Sequence, residues 1–151
     1  IRESHAPLTR QAGCLASSID EKMKIHGIEQ IQYFSKNLRR EDFEPLSFSE
    51  DELLDLYPER EKTRETQRDW NSDWPNASSY GVYLIYDDNL ELIYVGTATN
   101  LGRRLWTYFG GGKNCELRQE WGRPPRYVLT VGVPEKTWFE AVALESYLIY
   151  E

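Results

Sequence analysis

Four side chains in the second half of this 151-residue chain combine residue types that suit phosphate chemistry. Tyr83 and Tyr94 lie in neighbouring aromatic and β-branched runs, and Arg104 and Glu145 follow them. An arginine fork matches the charge that develops on a phosphate, and a carboxylate can bind a hard divalent cation. A phenol can orient or deprotonate water, although its ordinary pKa of about 10 requires nearby positive charge to lower it. Together these residue types favour phosphodiester hydrolysis.

The elements that must position these side chains are predicted in the order β-β-α-β-α. Residues 80–86 and 91–96 form two strands joined by a hairpin loop at 87–90, because both runs are rich in β-branched and aromatic residues. This loop length places Tyr83 directly opposite Tyr94, so that both phenols share one face of the sheet. The same pair could instead be packed only for stability.

A helix and a third strand are predicted after this hairpin, and a final helix follows them. Thr99 or Asn100 caps the first helix, which runs to residue 109 and ends at the glycines of 110–112. Residues 126–133 form the strand, and the last helix runs from 138 to the chain end. Thr137 and Glu140 open that helix as a capping box.

Both helices carry a charged residue within an apolar stripe. Arg104 recurs with Leu101, Leu105 and Tyr108, and either reaches solvent from the edge of the stripe or faces a cleft. Glu145 is either an intramolecular ion-pair partner, with Arg104 as a candidate, or a ligand for a cation. The residues predicted to share its face are Ala141, Val142, Leu148 and Ile149.

The sequence resembles the GIY-YIG nuclease superfamily over about 72 residues, 80–151. The paired signatures are Gly81-Val82-Tyr83 and Tyr94-Val95-Gly96. Arg104, eight residues after Gly96, and Tyr108, four residues later, match the arginine and the His or Tyr of the family. The segment Leu144-Glu145, with Leu148-Ile149 after it, matches the family's metal-binding glutamate. The amino-acid sequence of residues 97–109 is most similar to that of the N-terminal nuclease domain of the bacterial excision-repair incision subunit.

This resemblance implies an α+β fold with a small central three-stranded antiparallel sheet flanked by helices. It also implies a DNA endonuclease that uses one Mg²⁺ or Mn²⁺ ion. Tyr83 or Tyr94 would act on the water, and the sequence does not choose between them. Arg104 would hold the scissile phosphate with help from Tyr108, Glu145 would bind the metal, and Gly81 and Gly96 would be structural.

Two departures from the family pattern bear on activity. Thr97 stands where the repair-subunit pattern has a lysine. Many members also carry an asparagine about a dozen residues after the glutamate, which would fall beyond Glu151, so the domain is truncated there or lacks this residue. The alternative function is a catalytically impaired module of the same fold that binds nucleic acid or protein.

The net charge of −7 excludes a wholly basic, histone-like binder, but a local basic patch remains. Six cationic residues stand against two acidic ones between 103 and 126. Arg103, Lys113 and Arg118 are therefore predicted to bind nucleic acid, with double-stranded DNA as the expected partner.

Residues 1–79 are predicted to be a mainly helical extension or linker of unknown role. A helix is expected at 19–38 and a short one at 50–57, and turn residues at 71–79 mark the boundary. The extension is a candidate contact for a protein partner such as an immunity protein. Two cysteines without a paired spacing exclude a zinc ribbon and, as reduced thiols, favour a cytoplasmic protein. No apolar run approaches the length that a membrane helix needs.

Overall fold

The computed structural model describes residues 25–48, 53–56, 74–109 and 121–151. The predicted glycine helix end at 110–112, and the predicted DNA contacts Lys113 and Arg118, lie outside these residues. None of the helices in the described ranges is long and apolar enough to cross a membrane.

The described residues form three α-helices and four β-strands. In chain order they are α1 (Ile28–Tyr33), β1 (Leu54–Asp55), β2 (Tyr80–Tyr86), β3 (Leu92–Ala98), α2 (Leu101–Phe109), β4 (Tyr127–Val133) and α3 (Glu140–Tyr150). A π-helical turn, Phe34–Leu38, extends α1, and a 3-10 turn, Glu135–Thr137, precedes α3. The β-β-α-β-α order predicted for the second half of the chain is therefore confirmed.

The strands form one antiparallel sheet in the order β1-β4-β2-β3, which confirms the α+β fold and adds a strand to the three predicted. The extra strand, β1, replaces the short helix predicted at 50–57. Leu54 pairs with Val128 and Asp55 with Tyr127. Because the edge of β4 satisfies the backbone groups of this segment, pairing between distant parts of the chain overrides the local capping pattern.

The register of the hairpin differs from the prediction by two residues. Tyr83 pairs with Gly96 and Ile85 with Tyr94, so the direct Tyr83–Tyr94 pairing was wrong. The cause is an irregularity at Ile85 and Tyr86 together with the later start of β3, at Leu92. A two-residue shift keeps each side chain on its face. Tyr83 and Tyr94 are therefore diagonal neighbours, with ring centroids 6.0 Å apart.

Each face of the sheet buries its own hydrophobic cluster. The cluster against α1 and α3 contains Ile28, Ile31, Phe34, Leu84, Leu144 and Leu148, among others. The cluster against α2 contains Tyr83, Leu101, Leu105, Tyr108, Phe109 and Trp121, among others. Residues of the N-terminal half thus contribute to both cores, since Leu56 and Trp74 belong to the cluster against α2. The predicted division of the chain at residue 79 stays a prediction.

The hairpin loop is closed by one buried carboxylate. Asp87 Oδ1 accepts the backbone N–H groups of Asn89 at 2.8 Å and Glu91 at 3.0 Å, and its Oδ2 accepts Arg123 Nη1 at 2.7 Å. Burial alone would raise the pKa of Asp87, but these backbone donors and Arg123 lower it below its ordinary value. The ionised carboxylate therefore stabilises the turn that joins β2 and β3.

Asp87→Asn should destabilise the protein by about 1–2 kcal/mol at neutral pH, because it removes charge-assisted hydrogen bonds. A lowered folded-state pKa contributes stability above the unfolded pKa, and this contribution is lost as pH falls through the folded value. The gap between wild type and variant should therefore narrow in acid. Urea unfolding at several pH values measures it, with exposed Asp88→Asn as the control; a pH-independent gap would contradict the assignment.

Candidate active site

Tyr83 lies at the centre of a cluster of aromatic rings and is only 1% exposed. Its hydroxyl is 3.0 Å from the hydroxyl of Tyr108, and the centroids of the two rings are 5.9 Å apart. Burial is the main reason that the pKa of Tyr83 lies well above its ordinary value, and the bond to Tyr108 raises it further. Tyr83 is therefore protonated at neutral pH.

Gly96 gives the Tyr83 ring the room that it occupies. A Cβ atom at this position would collide with Oη and Cζ of Tyr83 and would also press on the ring of Tyr94. The two signature motifs therefore interlock across the hairpin, with the phenol of one lying over the glycine of the other. At Gly81, a Cβ would instead meet the backbone carbonyl of Val131 and the side chain of Leu101.

Gly96→Ala should displace the Tyr83 ring and cost about 1–3 kcal/mol of stability, since overpacking a closely packed site forces neighbours to move. Thermal unfolding measures the loss. Thr97→Ala is the matched control on the same strand, because it trims a half-buried side chain and keeps the backbone N–H. If Gly96→Ala were as stable as Thr97→Ala, the close contact with Tyr83 would be refuted.

Arg104 lies at the rim of the same ring cluster. It is an exposed residue of α2, whereas Leu101, Leu105 and Tyr108 of that helix are buried. A hydrogen bond from its guanidinium to Tyr108 is the first cause of its raised pKa, and the hydroxyls of Tyr83 and Tyr94 contribute. Arg104, Tyr108 and Tyr83 therefore form a linked set in which the cation faces solvent.

A cleft of about 350 Å³ opens beside Arg104, and none of the described residues that line it carries a carboxylate. Asn100 caps α2 as predicted, because its Oδ1 accepts the backbone N–H of Arg103 at 2.8 Å. The residues lining the cleft are Ala98, Thr99, Asn100, Arg103, Arg104, Thr107 and Tyr108. Two guanidinium groups and several hydrogen-bonding side chains make this cleft suitable for an anion such as a phosphate.

Glu145 occupies a different position on its helix from the one predicted. The buried face of α3 consists of Ala141, Leu144 and Leu148 with Glu140, whereas Val142 and Ile149 are exposed. The predicted apolar stripe was therefore placed on the wrong side of α3, because two exposed apolar residues were assigned to the core. Glu145 lies half-buried beside this face, and the salt bridges of the described residues do not pair it with Arg104.

The carboxylate of Glu145 contacts strand β3. Burial raises the pKa of Glu145, while a hydrogen bond from the backbone N–H of Thr97 acts in the opposite direction. Because β3 is the last strand in the sheet order, its outer backbone groups are open to such a bond. Thr97, the position of the departure from the family pattern, thus contributes its backbone to the site.

The two halves of the site lie on opposite faces of the sheet and meet at β3. Tyr83, Tyr94, Arg104 and Tyr108 belong to the face covered by α2, and Glu145 comes from α3 on the other face. The strand that carries Tyr94 and Gly96 also carries the backbone group bonded to Glu145. The edge of β3 is therefore the line along which a substrate could contact both halves.

Among the described residues the site offers a metal one carboxylate, Glu145, and this limits the kind of metal that it could hold. Within the described ranges, no three His, Cys, Asp or Glu residues are grouped so as to hold a metal. Mg²⁺ and Mn²⁺ need no such cage, because Mg²⁺ often takes one or two carboxylates and completes its shell with water and phosphate oxygens. Half-buried Glu145, oriented by Thr97, fits that mode of binding.

Trp121 is a structural part of the site, although base stacking would be the functional alternative for an aromatic residue of this type. It is buried, and its ring packs against Tyr94 at 6.1 Å and Tyr108 at 5.3 Å between centroids. Trp106 on α2 is instead 43% exposed. No local pattern separates the two tryptophans, since the burial of Trp121 depends on rings from β3 and α2.

The comparison with protein families agrees with this geometry. Residues 79–151 match the GIY-YIG catalytic domain, and this part of the chain belongs to the GIY-YIG superfamily. The domain therefore has the fold of a nuclease family. No curated protein and no solved structure gives a significant match to the chain.

Proposed function

We propose that this protein is a divalent-metal-dependent endonuclease that hydrolyses phosphodiester bonds in DNA. The supporting observation is the convergence at β3 of three linked groups, Arg104, Tyr108 and Tyr83, with a carboxylate from the opposite face. Packing alone does not require both the buried Tyr83 phenol and the half-buried Glu145 carboxylate, because the two side chains lie on opposite faces of the sheet. A shared reaction at the sheet edge explains why both are present.

Two different roles for the tyrosines follow from their surroundings. Tyr83 is buried and protonated, with its hydroxyl engaged by Tyr108, so it donates or relays a hydrogen bond. Tyr94 is partly exposed on the same face, so its hydroxyl is the one that can reach a water. We assign Tyr94 to the attacking water.

Arg104 holds the scissile phosphate in this proposal. Its guanidinium faces the cleft and is supported from behind by Tyr108. A planar fork placed in this way can bind two non-bridging oxygens and counter the negative charge that grows in the transition state. Arg103, in the same cleft, would contact a neighbouring phosphate of the backbone.

Glu145 would hold the cation, Mg²⁺ or Mn²⁺, at the edge of β3. When bound, such an ion neutralises phosphate charge and stabilises the leaving oxygen. The protein's own contribution is to fix the carboxylate through the N–H of Thr97. Burial disfavours the bare charge, so a cation relieves a cost that the fold otherwise bears.

Supercoiled plasmid incubated with the purified full chain and Mg²⁺, Mn²⁺ or EDTA tests the proposal. Nicked or linear product with either metal and none with EDTA is expected. Intact plasmid at a large enzyme excess would contradict it. In that case, titration of labelled duplex DNA distinguishes the alternative, an impaired module that binds nucleic acid, for which Thr97 in place of a lysine is the motivating feature.

A further inference from the structure

A buried ion pair joins the N-terminal half of the chain to the first turn of α3. Arg39 Nη2 donates to Glu140 Oε1 at 2.8 Å, and Arg39 Nε donates to Glu140 Oε2. Both side chains are only 5% exposed. Arg39 Nη2 also donates to the backbone carbonyl of Glu44 at 2.6 Å. This two-point contact fixes both the position and the direction of the carboxylate.

Aromatic contacts hold α3 at two further places. Tyr147, two residues after Glu145, stacks on Tyr33 with a centroid distance of 6.5 Å and packs against Phe34 at 5.7 Å. At the other end, Phe43 makes an edge contact with Phe139, at 6.0 Å, immediately before the helix. Contacts from the segment 33–43 therefore lie on both sides of Glu145 along α3.

These contacts come from outside the residues that match the GIY-YIG family, 79–151. The helix α1 before them contributes Ile28 and Ile31 to the core shared with Leu144 and Leu148 of α3. The buried Arg39–Glu140 pair is costly to desolvate and gives little net stability compared with apolar packing. Such a pair is better suited to fixing one orientation of the helix than to holding it on the sheet.

We infer that the segment 25–44 positions α3 for catalysis, with Arg39 as the positioning residue that acts through Glu140. The functional consequence rests on the proposed role of Glu145 as the metal ligand. Rotation or sliding of α3 would separate the Glu145 carboxylate from the N–H of Thr97 without unfolding the sheet. The segment 25–44 is then part of the active site's framework.

The first readout is amide hydrogen exchange of the full chain by NMR, without metal or DNA. Arg39→Ala should increase exchange at Thr97 at least fivefold relative to the amide of Leu84 in the central strand β2. Loss of global stability alone would raise both rates together. Arg40→Ala is the matched control, because its ion pair with Asp42 is 71% and 63% exposed, and it should leave the ratio unchanged.

The second readout is Mn²⁺ binding followed by electron paramagnetic resonance. Arg39→Ala should raise the half-saturating Mn²⁺ concentration at least fivefold, and Arg40→Ala should not change it. If Arg39→Ala does not fold, Arg39→Lys replaces it, since lysine keeps the charge but loses the fork; it should change both readouts in the same direction. A folded Arg39 variant with a wild-type exchange ratio would overturn the inference. A wild type that binds no Mn²⁺, either alone or with duplex DNA present, would instead overturn the proposed function, and the exchange ratio would still decide the positioning role.

Discussion

Glu145→Gln is expected to reduce metal-dependent DNA cleavage about a thousandfold, equivalent to roughly 4 kcal/mol of transition-state stabilisation. Glutamine keeps an oxygen that can accept the N–H of Thr97 but loses the charge that binds a cation. Single-turnover cleavage of a labelled duplex in Mn²⁺ measures the loss. The exposed Glu135→Gln is the matched control and should cleave as wild type does.

The same variant should be more stable than wild type at neutral pH. Burial raises the folded-state pKa of Glu145 above its ordinary value of 4.5, so ionisation of this side chain favours the unfolded chain. The carboxylate's contribution to stability is therefore greatest in acid and is lost as pH rises through the raised folded pKa. The difference in melting temperature should grow from acid to neutral pH. Glu140→Gln, on the same helix, should lower the melting temperature because it breaks the bond with Arg39.

Two other results would contradict a metal-binding role for Glu145. If Glu145→Gln cleaved DNA normally, the cation would have to be held elsewhere. If it instead lost stability as Glu140→Gln should, Glu145 would be a partner that the fold requires. Loss of cleavage with gain of stability is the pattern expected of a functional group that is held at a cost to the fold.

Arg104→Ala should slow cleavage about 100- to 1,000-fold, the effect typical of removing one donor from a transition-state binding site. Its affinity for duplex DNA, measured in EDTA, should fall far less than the rate, by no more than the loss of one phosphate contact. Arg104→Lys should also be defective, since a lysine lacks the planar fork that can bind two phosphate oxygens. Cleavage under single-turnover conditions, beside an affinity titration, separates rate from binding.

Arg103→Ala is the matched control for this prediction. Arg103 lines the same cleft and is adjacent in sequence, but its proposed contact is with a neighbouring phosphate. Its loss should weaken binding and lower the slope of affinity against salt by about one, with little effect on the rate at saturation. Arg104→Ala behaving in this way would reduce Arg104 to an electrostatic contact.

The elements that hold the site were predictable because their patterns are local. The strand 80–86 agrees with the observed bounds, and Asn100 caps α2 as predicted. The sequence also placed Tyr83 and Tyr94 on one face, although their direct pairing was wrong. An irregularity near the loop shifts the strand register without leaving a clear sequence signal. Because the shift here is two residues rather than one, each side chain stays on the predicted face of the sheet.

Features that depend on contacts between distant residues were not predictable. β1 is two residues long and exists because β4 offers an edge. The stripe of α3 was misassigned because Val142 and Ile149 are exposed in spite of their apolar side chains. Arg39 and Glu140 are 101 residues apart. The residues next to each of them in the sequence therefore indicate only a surface charge or a helix cap. Their contact is visible only once α1 and α3 pack on the same face.

The most direct test of a metal-dependent nuclease is one cleavage assay on supercoiled plasmid, with wild type and Glu145→Gln side by side in Mn²⁺ and in EDTA. Nicking by wild type in Mn²⁺ alone, absent from a folded Glu145→Gln protein, is the expected result. Nicking that persists in EDTA, or equal nicking by both proteins, would contradict a cation held by Glu145. An intact plasmid in every lane, with folded wild type in excess, would contradict the nuclease itself.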